Sequence, residues 1–389
     1  MEKPKKVAIL IRSSNVHSKE MSLGIAKYAN LYGHWELVAP PSFLFAKSPT
    51  LEKNEMWLKK NHVNGLIDSG GWGEKEEMSL GIPVIVDWDR YKERPNCGYF
   101  KTDNQRIGIL AAEYLLSKGF KNFAFCGLEK RQWANERGDS FKQRIHEAGF
   151  EPSLYIQPKT QKNRRWENEQ PFIIEWLKSL PKPTGILACH DIRGLYLIEA
   201  CKAANIHVPE ELAILGVDND EMTCATAYPP LSSVALNAKK AGYEAAKLLD
   251  KLMSDVEVEE NNVLIRPTHV VTRQSTDVLA IDDPDIAKAV RFIRTNTKRQ
   301  IQVSDVAGAV PVLRRTLERR FKTLFGFSVN EEIARTKIEN IATILVETNE
   351  PISKISYDFG FSDASHMTRT FRRVKGMTPL AYRNKYGSK

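Results

Sequence analysis

Ile352–Pro379 reads ISKISYDFGFSDASHMTRTFRRVKGMTP, and its pattern sets the reading of the chain. Ile355 and Phe359, four residues apart, share one face of a helix. Gly360 can take the turn that follows, and Ser362 can cap the next helix by accepting a hydrogen bond from an orphan N–H. That second helix repeats the four-residue spacing in Met367 and Phe371 and surrounds them with Asp363, Ser365, His366, Arg369 and Arg372. Two apolar-faced helices, a tight turn and an arginine-bearing second helix are the parts of a helix-turn-helix, which seats its second helix in a major groove.

Upstream, Val303–Ser328 (VSDVAGAVPVLRRTLERRFKTLFGFS) repeats the pattern. Val306 corresponds to Ile355 and Val310 to Phe359, Pro311 replaces the turn glycine, and Phe321 and Gly326 correspond to Phe371 and Gly376. Between the copies Ala334, Ile338, Ile341 and Leu345 recur at helical spacing and predict a connecting helix. On the first reading helix Arg314, Arg315, Thr316, Arg319 and Arg320 are candidate DNA contacts; on the second they are Asp363, Ser365, His366 and Arg369. Arginine presents a two-pronged donor to guanine O6 and N7, and Ser or His can meet a base edge or a phosphate. Lys322, Arg372, Arg373 and Lys375 are candidates for phosphate anchoring, which adds affinity without sequence information. Leu317, Phe321, Phe359, Met367 and Phe371 are core positions by their spacing.

Charge divides along the same line. Asp285–Lys389 holds 20 Lys and Arg against 10 Asp and Glu, whereas the whole chain has a net charge of +9, so the rest is nearly neutral. The C-terminal end is therefore the part suited to a polyanion.

From Lys6 to Asp277 the period changes to short apolar runs (VAILI, WELVA, NGLID, PVIVDW, FAFCGL, GILAC, AILGV, VLIRP, HVV) alternating with amphipathic helical stretches. Repeated strand–helix–strand units predict α/β parallel sheets with ligands at the carboxyl ends of the strands. The number of units predicts two doubly wound lobes around a cleft. Val278–Pro284 (VLAIDDP), acidic and proline-ended, reads as a linker. The expected organisation is a two-lobed sensor core at 1–277, the linker at 278–284 and an all-α DNA-binding domain with two helix-turn-helix units at 285–389.

Composition narrows the function classes. With 42% hydrophobic and 27% charged residues the chain is of ordinary globular type. The five cysteines lack C-x-x-C pairing or metal spacing and read as reduced thiols; no metal site or cofactor is expected. The opening MEKPKK precedes an apolar run of only Val7–Ile11, too short for a secretion signal, and no segment is long enough to span a membrane, which predicts a cytoplasmic protein. No nucleophile elbow, phosphate loop or zinc pattern is present, so catalysis is not expected. The acid pairs Asp87/Asp89 and Asp218/Asp220 suit polyol recognition instead, because a sugar hydroxyl both donates and accepts. Candidate sugar contacts are the polar residues after strand ends. They are Asn15, Asp68, Trp88 with Asp89, Arg137, His190 with Asp191, and Asp218 with Asn219.

Two family resemblances follow. Phe371, Gly376, Thr378, Pro379, Tyr382 and Arg383 match the ending F-x-x-x-x-G-x-T/S-P-x-x-Y/F-R, and with the doubled helix-turn-helix this resembles the AraC/XylS family of bacterial regulators. Lys101–Asn104, Arg137 with Phe141, Ala188–Asp191, Leu215–Asn219 and Arg273–Thr276 resemble the sensor core of LacI/GalR regulators. The resemblance carries Arg137, His190 or Asp191, and Asp218 over as ligand contacts. Two positions depart from it: Pro311-Val312-Leu313 stands where a Ser cap is common, and His190 stands where Asn is common. Sensor first and reader last, with QWANERGDSF, LGVDNDEMT and TLERRFK, is similar to regulators of xylose use. That similarity implies a D-xylose effector, a homodimer on a double-stranded operator, activation of pentose catabolic genes and contact with RNA polymerase. The alternatives are a sugar carrier with a helical tail that does not bind DNA, or a regulator answering to a different sugar.

Overall fold

Strands covered on both faces alternate between two cores rather than between core and water. In β1 (Lys6–Leu10), Val7 enters one apolar cluster while Ala8 and Leu10 enter another, all fully buried. The structure, a computed structural model, describes residues 4–11, 16–39, 51–69, 81–88, 97–157, 165–278, 281 and 283–387. The chain divides into two compact units, Met1–Asp103 with Leu236–Pro267, and Asn104–Ala235 with Thr268–Lys389.

The first unit begins with β1, α1 (Val16–Tyr28), β2 (Glu36–Val38), α2 (Leu51–Lys60), β3 (Gly65–Asp68), β4 (Val84–Asp87) and β5 (Cys97–Thr102). The second unit continues with α3 (Asn104–Ser117), β6 (Asn122–Gly127), α4 (Gln132–Glu147), β7 (Ser153–Ile156), α5 (Trp166–Ser179), β8 (Thr184–Ala188), α6 (Asp191–Ala203), β9 (Leu212–Val217), α7 (Glu221–Thr226) and β10 (Ser232–Leu236). The chain then gives α8 (Ala238–Met253) and β11 (Asn262–Ile265) to the first unit, and β12 (Pro267–Val271) joins the second sheet. Each sheet has six described strands, in the orders β11-β5-β4-β3-β1-β2 and β12-β10-β9-β8-β6-β7. In the first unit α1 and α8 approach so closely that a Cβ on Gly242 would lie 2.0 Å from the Met21 carbonyl oxygen, which is why glycine stands there.

Three strands go beyond the sequence expectation: β5, β7 and β10. β7 is an edge strand with half its side chains exposed, and β10 opens on Ser232 and Ser233, buried polar residues that break an apolar run.

The rest of the second unit is helical: α9 (Pro284–Thr295), α10 (Val303–Gly308), α11 (Arg314–Phe325), α12 (Val329–Glu347), α13 (Ile352–Asp358), α14 (Ala364–Lys375) and α15 (Pro379–Tyr386). Pro284 does not end a loop. It opens α9 at a position where its missing N–H costs nothing, and Asp283 caps that helix through the N–H groups of Asp285 and Ile286. Leu279, Ala280 and Asp282 of the expected linker lie outside the described residues.

Two cores hold these helices. Val306, Leu317, Phe321 and Val329 build the first with α9; Ile355, Phe359, Met367 and Phe371 build the second. α12 serves both, giving Ile333 to the first and Ile338, Ile341 and Leu345 to the second. All five positions read as core in the two helix-turn-helix units are at most 1% exposed, each burial worth about 1.5–3 kcal/mol. The turn glycine Gly360 has φ +65°, as expected, but the cap is Asp363 rather than Ser362: its carboxylate accepts from the His366 N–H at 2.7 Å, while Ser362 donates to that carboxylate.

Candidate effector site and DNA-reading helices

The carboxyl ends of β6, β8 and β9 bring together residues from four stretches of the second unit. Arg137, on α4 and 5% exposed, donates from Nε to Asn104 Oδ1 at 3.0 Å and from Nη1 to the Cys189 carbonyl at 2.6 Å. Its Nη2 lies 3.8 Å from Asp218 Oδ1, and the guanidinium rests over the Trp133 ring, 4.9 Å from its centroid. Asn104 is itself fixed by donating to Glu136. Asp218 and Asn219 sit at φ +100° and +51°, strained conformations for residues with side chains, directly after β9. Burial pushes the Asp218 carboxyl up to about 6 even though Arg137 pulls it down.

The neighbouring candidates are already engaged. His190 caps α6 by accepting the Arg193 N–H on Nδ1, and burial brings it down to about 4, so the ring is neutral and Nε2 carries the donor proton. Asp191 turns inward. It meets Ser233 Oγ at 2.5 Å and the Asp220 N–H at 2.7 Å, and burial followed by Asp218 lifts it to about 8. Asn219 accepts from Arg273, which also holds the Leu231 carbonyl, so the RQST segment braces the site loop. Asp191 and Asn219 thereby anchor the loop that carries Asp218. Trp133, tilted against His190 at 5.8 Å and against Arg137, adds an aromatic face whose role does not show in the QWANERGDSF pattern itself. In the first unit Asp68 ends β3 fully buried and Trp88 is half-buried beside Tyr99; Asn15 and Asp89 lie outside the described residues.

On the reading helices the apolar pair fixes what faces out. With Leu317 and Phe321 inward on α11, Arg315 and Arg319 stand on the opposite side, four residues apart and exposed. The flanking arginines are drawn aside. Arg314 pairs with Glu318 at 3.1 Å, and Arg320 lies 3.4 Å from both Asp283 and Asp285 at the start of α9. Leu313, the residue before α11, offers no side-chain cap, in keeping with the departure from the Ser pattern. On α14 Met367 and Phe371 face inward, while Ser365, His366, Arg369, Arg372 and Arg373 are exposed. Asp363 is occupied as the cap. Lys375 is not a free anchor: it reaches both Glu339 carboxylate oxygens at 2.6 Å.

The C-terminal signature is structural. Gly376 ends α14 at φ +73°, Thr378 caps α15 and Pro379 opens it; Tyr382 packs edge-on to Phe371, and Arg383 donates to the Leu345 and Glu350 carbonyls.

Residues 112–276 match the periplasmic binding protein-like domain family and residues 306–385 a helix-turn-helix domain family. Over 390 residues the chain is 31% identical to the xylose operon regulatory protein of Haemophilus influenzae, covering 97% of this chain and 98% of that one. The chain belongs to the xylose operon regulatory protein family. The Escherichia coli K12 member is 29% identical over 386 residues, 97% of each chain. A solved structure of a xylose-binding transcription activator resembles it at TM-score 0.58 and 28% identity, over 99% of both chains. The chain is thus a transcription regulator, not an enzyme, with a sugar-binding type of sensor fold and helix-turn-helix DNA readers. Membership removes the sugar carrier with an inert tail. Among the described residues no helix is long and apolar enough to cross a membrane.

Proposed function

We propose that this regulator is a cytoplasmic, D-xylose-dependent activator of pentose catabolic genes. Residues 1–277 act as the sensor, 278–284 as the link and 285–389 as the reader. It works as a homodimer on an operator with repeated half-sites and contacts RNA polymerase from the DNA-bound state. The observation that carries the sugar reading is the held Arg137–Asp218 pair beside Trp133: a fixed guanidinium, an acceptor carboxylate and an aromatic face, which together suit a polyol. Arg137, Asp218 and the His190 Nε2 donor form the proposed direct contacts. Arg315 and Arg319, with Arg369, are the proposed base readers; Arg372 and Arg373 are the proposed phosphate anchors. Sugar can shift the regulator only by its differential affinity for two arrangements of sensor and reader.

Calorimetric titration of the full chain with D-xylose, arabinose, ribose, allose and glucose tests the effector. Saturable heat is expected for D-xylose ahead of the others. Tighter binding of another sugar would reassign the effector, and no binding in the panel would remove it.

A further inference from the structure

Within the second unit, a cavity of about 370 Å³ opens where α3, β12 and Asp277 meet α9 and α12. We infer that this cavity is a second ligand site, for a small hydroxylated anion such as a sugar phosphate or sugar acid. It lies between sensor and reader, apart from the residues assigned to xylose.

Two cations carry the inference. Lys118, at the end of α3, is 4% exposed and lines the cavity, its ammonium over the Tyr114 ring at 5.3 Å from the centroid. Arg294, from α9, lines the same space and donates to the Ser117 carbonyl at 3.1 Å. Among the described residues, neither has a carboxylate within ion-pair distance (4.0 Å). Removing a cation from water without a partner is costly, and both groups register it: burial brings Lys118 down to about 7 and lowers Arg294. Two desolvated cations facing one void are satisfied best by an anion that enters it.

The other charged groups around the void set the rest of the ligand. Glu113 and Glu339 line it but are taken by Arg144 and Lys375. Asp277 and Glu332 face it without an ion pair among the described residues, and burial raises Glu332. With the exposed Arg335, which lies over Phe327, the ionisable groups left without an ion pair are Lys118, Arg294 and Arg335 against Asp277 and Glu332, and an entering anion favours the charged form of Lys118 that burial opposes. A single anionic head on the cations, with hydroxyls donating to the two carboxylates and meeting Asn340, uses every group. The volume lies in the range of small-molecule sites, about 300–1,000 Å³. Because its walls come from both sensor and reader elements, occupancy is thermodynamically linked to DNA affinity wherever the two arrangements differ.

The test is calorimetry on the full-length chain with glucose 6-phosphate, gluconate and inorganic phosphate, with glucose as neutral control and D-xylose in parallel. At least one hydroxylated anion is expected to bind once per chain, and glucose not at this site. Lys118→Met should weaken the anion at least about tenfold, the scale of losing a hydrogen bond to a charged group. Asn340→Trp fills the void without changing charge and should weaken it likewise, while D-xylose titrates unchanged in both variants. Absence of anion binding at millimolar concentration, or binding that survives both substitutions, overturns the site. Inorganic phosphate binding as tightly as the hydroxylated anions overturns the ligand class. A chain that binds the anion but not D-xylose keeps this site and loses the proposed effector.

Discussion

Asp218 is where the proposed effector site is most exposed to test. Its carboxyl sits near 6, with Arg137 holding the ionised form and burial opposing it. If sugar hydroxyls donate to the ionised carboxylate, affinity is full above that value and lost as pH falls through it. Titration of D-xylose from pH 7.5 to 5 should show weakening below about pH 6, and Asp218→Asn should bind weakly at every pH with that dependence gone; a wild-type affinity flat to pH 5 would argue against Asp218 as acceptor. The arginines separate in the same way. Arg319→Ala should cost about 1–3 kcal/mol on a cognate site and relax one position, whereas Arg372→Ala should weaken all sequences alike and reduce the salt slope by about 1. Gel shifts on cognate and scrambled DNA across a salt series distinguish the two, and equal loss on both DNAs for Arg319→Ala would remove it as a base reader.

At the scale of elements, α12 unites the two readers through one buried lysine. Lys337 donates to the Arg299 carbonyl at 3.0 Å and the Phe359 carbonyl at 2.8 Å, so it ties the loop before α10 to the turn after α13. Lys337→Met leaves both carbonyls unmet and should lower stability by about 1–3 kcal/mol in chemical denaturation; an unchanged midpoint would mean the clamp is replaced by water. Element type was largely legible in the sequence because apolar spacing decides it. The doubled reader, the connecting helix and most strands follow from that spacing. What escaped depends on partners distant in sequence. β10 hides its serines because Ser232 and Ser233 are satisfied by Arg273 and Asp191, over forty residues away. Ser362 and Asp363 are equally good caps on paper, and only backbone geometry chose Asp363. Trp133 gained meaning only once folding set it between Arg137 and His190.

For the whole molecule, the division into a near-neutral sensor and a basic reader was written in the charge distribution, but the links between them were not. Tyr382 reaches the Thr268 carbonyl of β12 at 3.0 Å, and Arg294 reaches the Ser117 carbonyl at the end of α3. These contacts give sensor and reader a shared surface on which ligand state can act. Control of DNA binding by sugar is tested most directly by a salt-controlled gel shift on the chain's own upstream region with and without D-xylose. The prediction is that xylose changes the affinity of the wild-type chain and leaves Asp218→Ala, which still binds DNA at its basal level, unmoved. A wild-type chain that binds both xylose and DNA yet shows the same DNA affinity in the presence and absence of the sugar would contradict it.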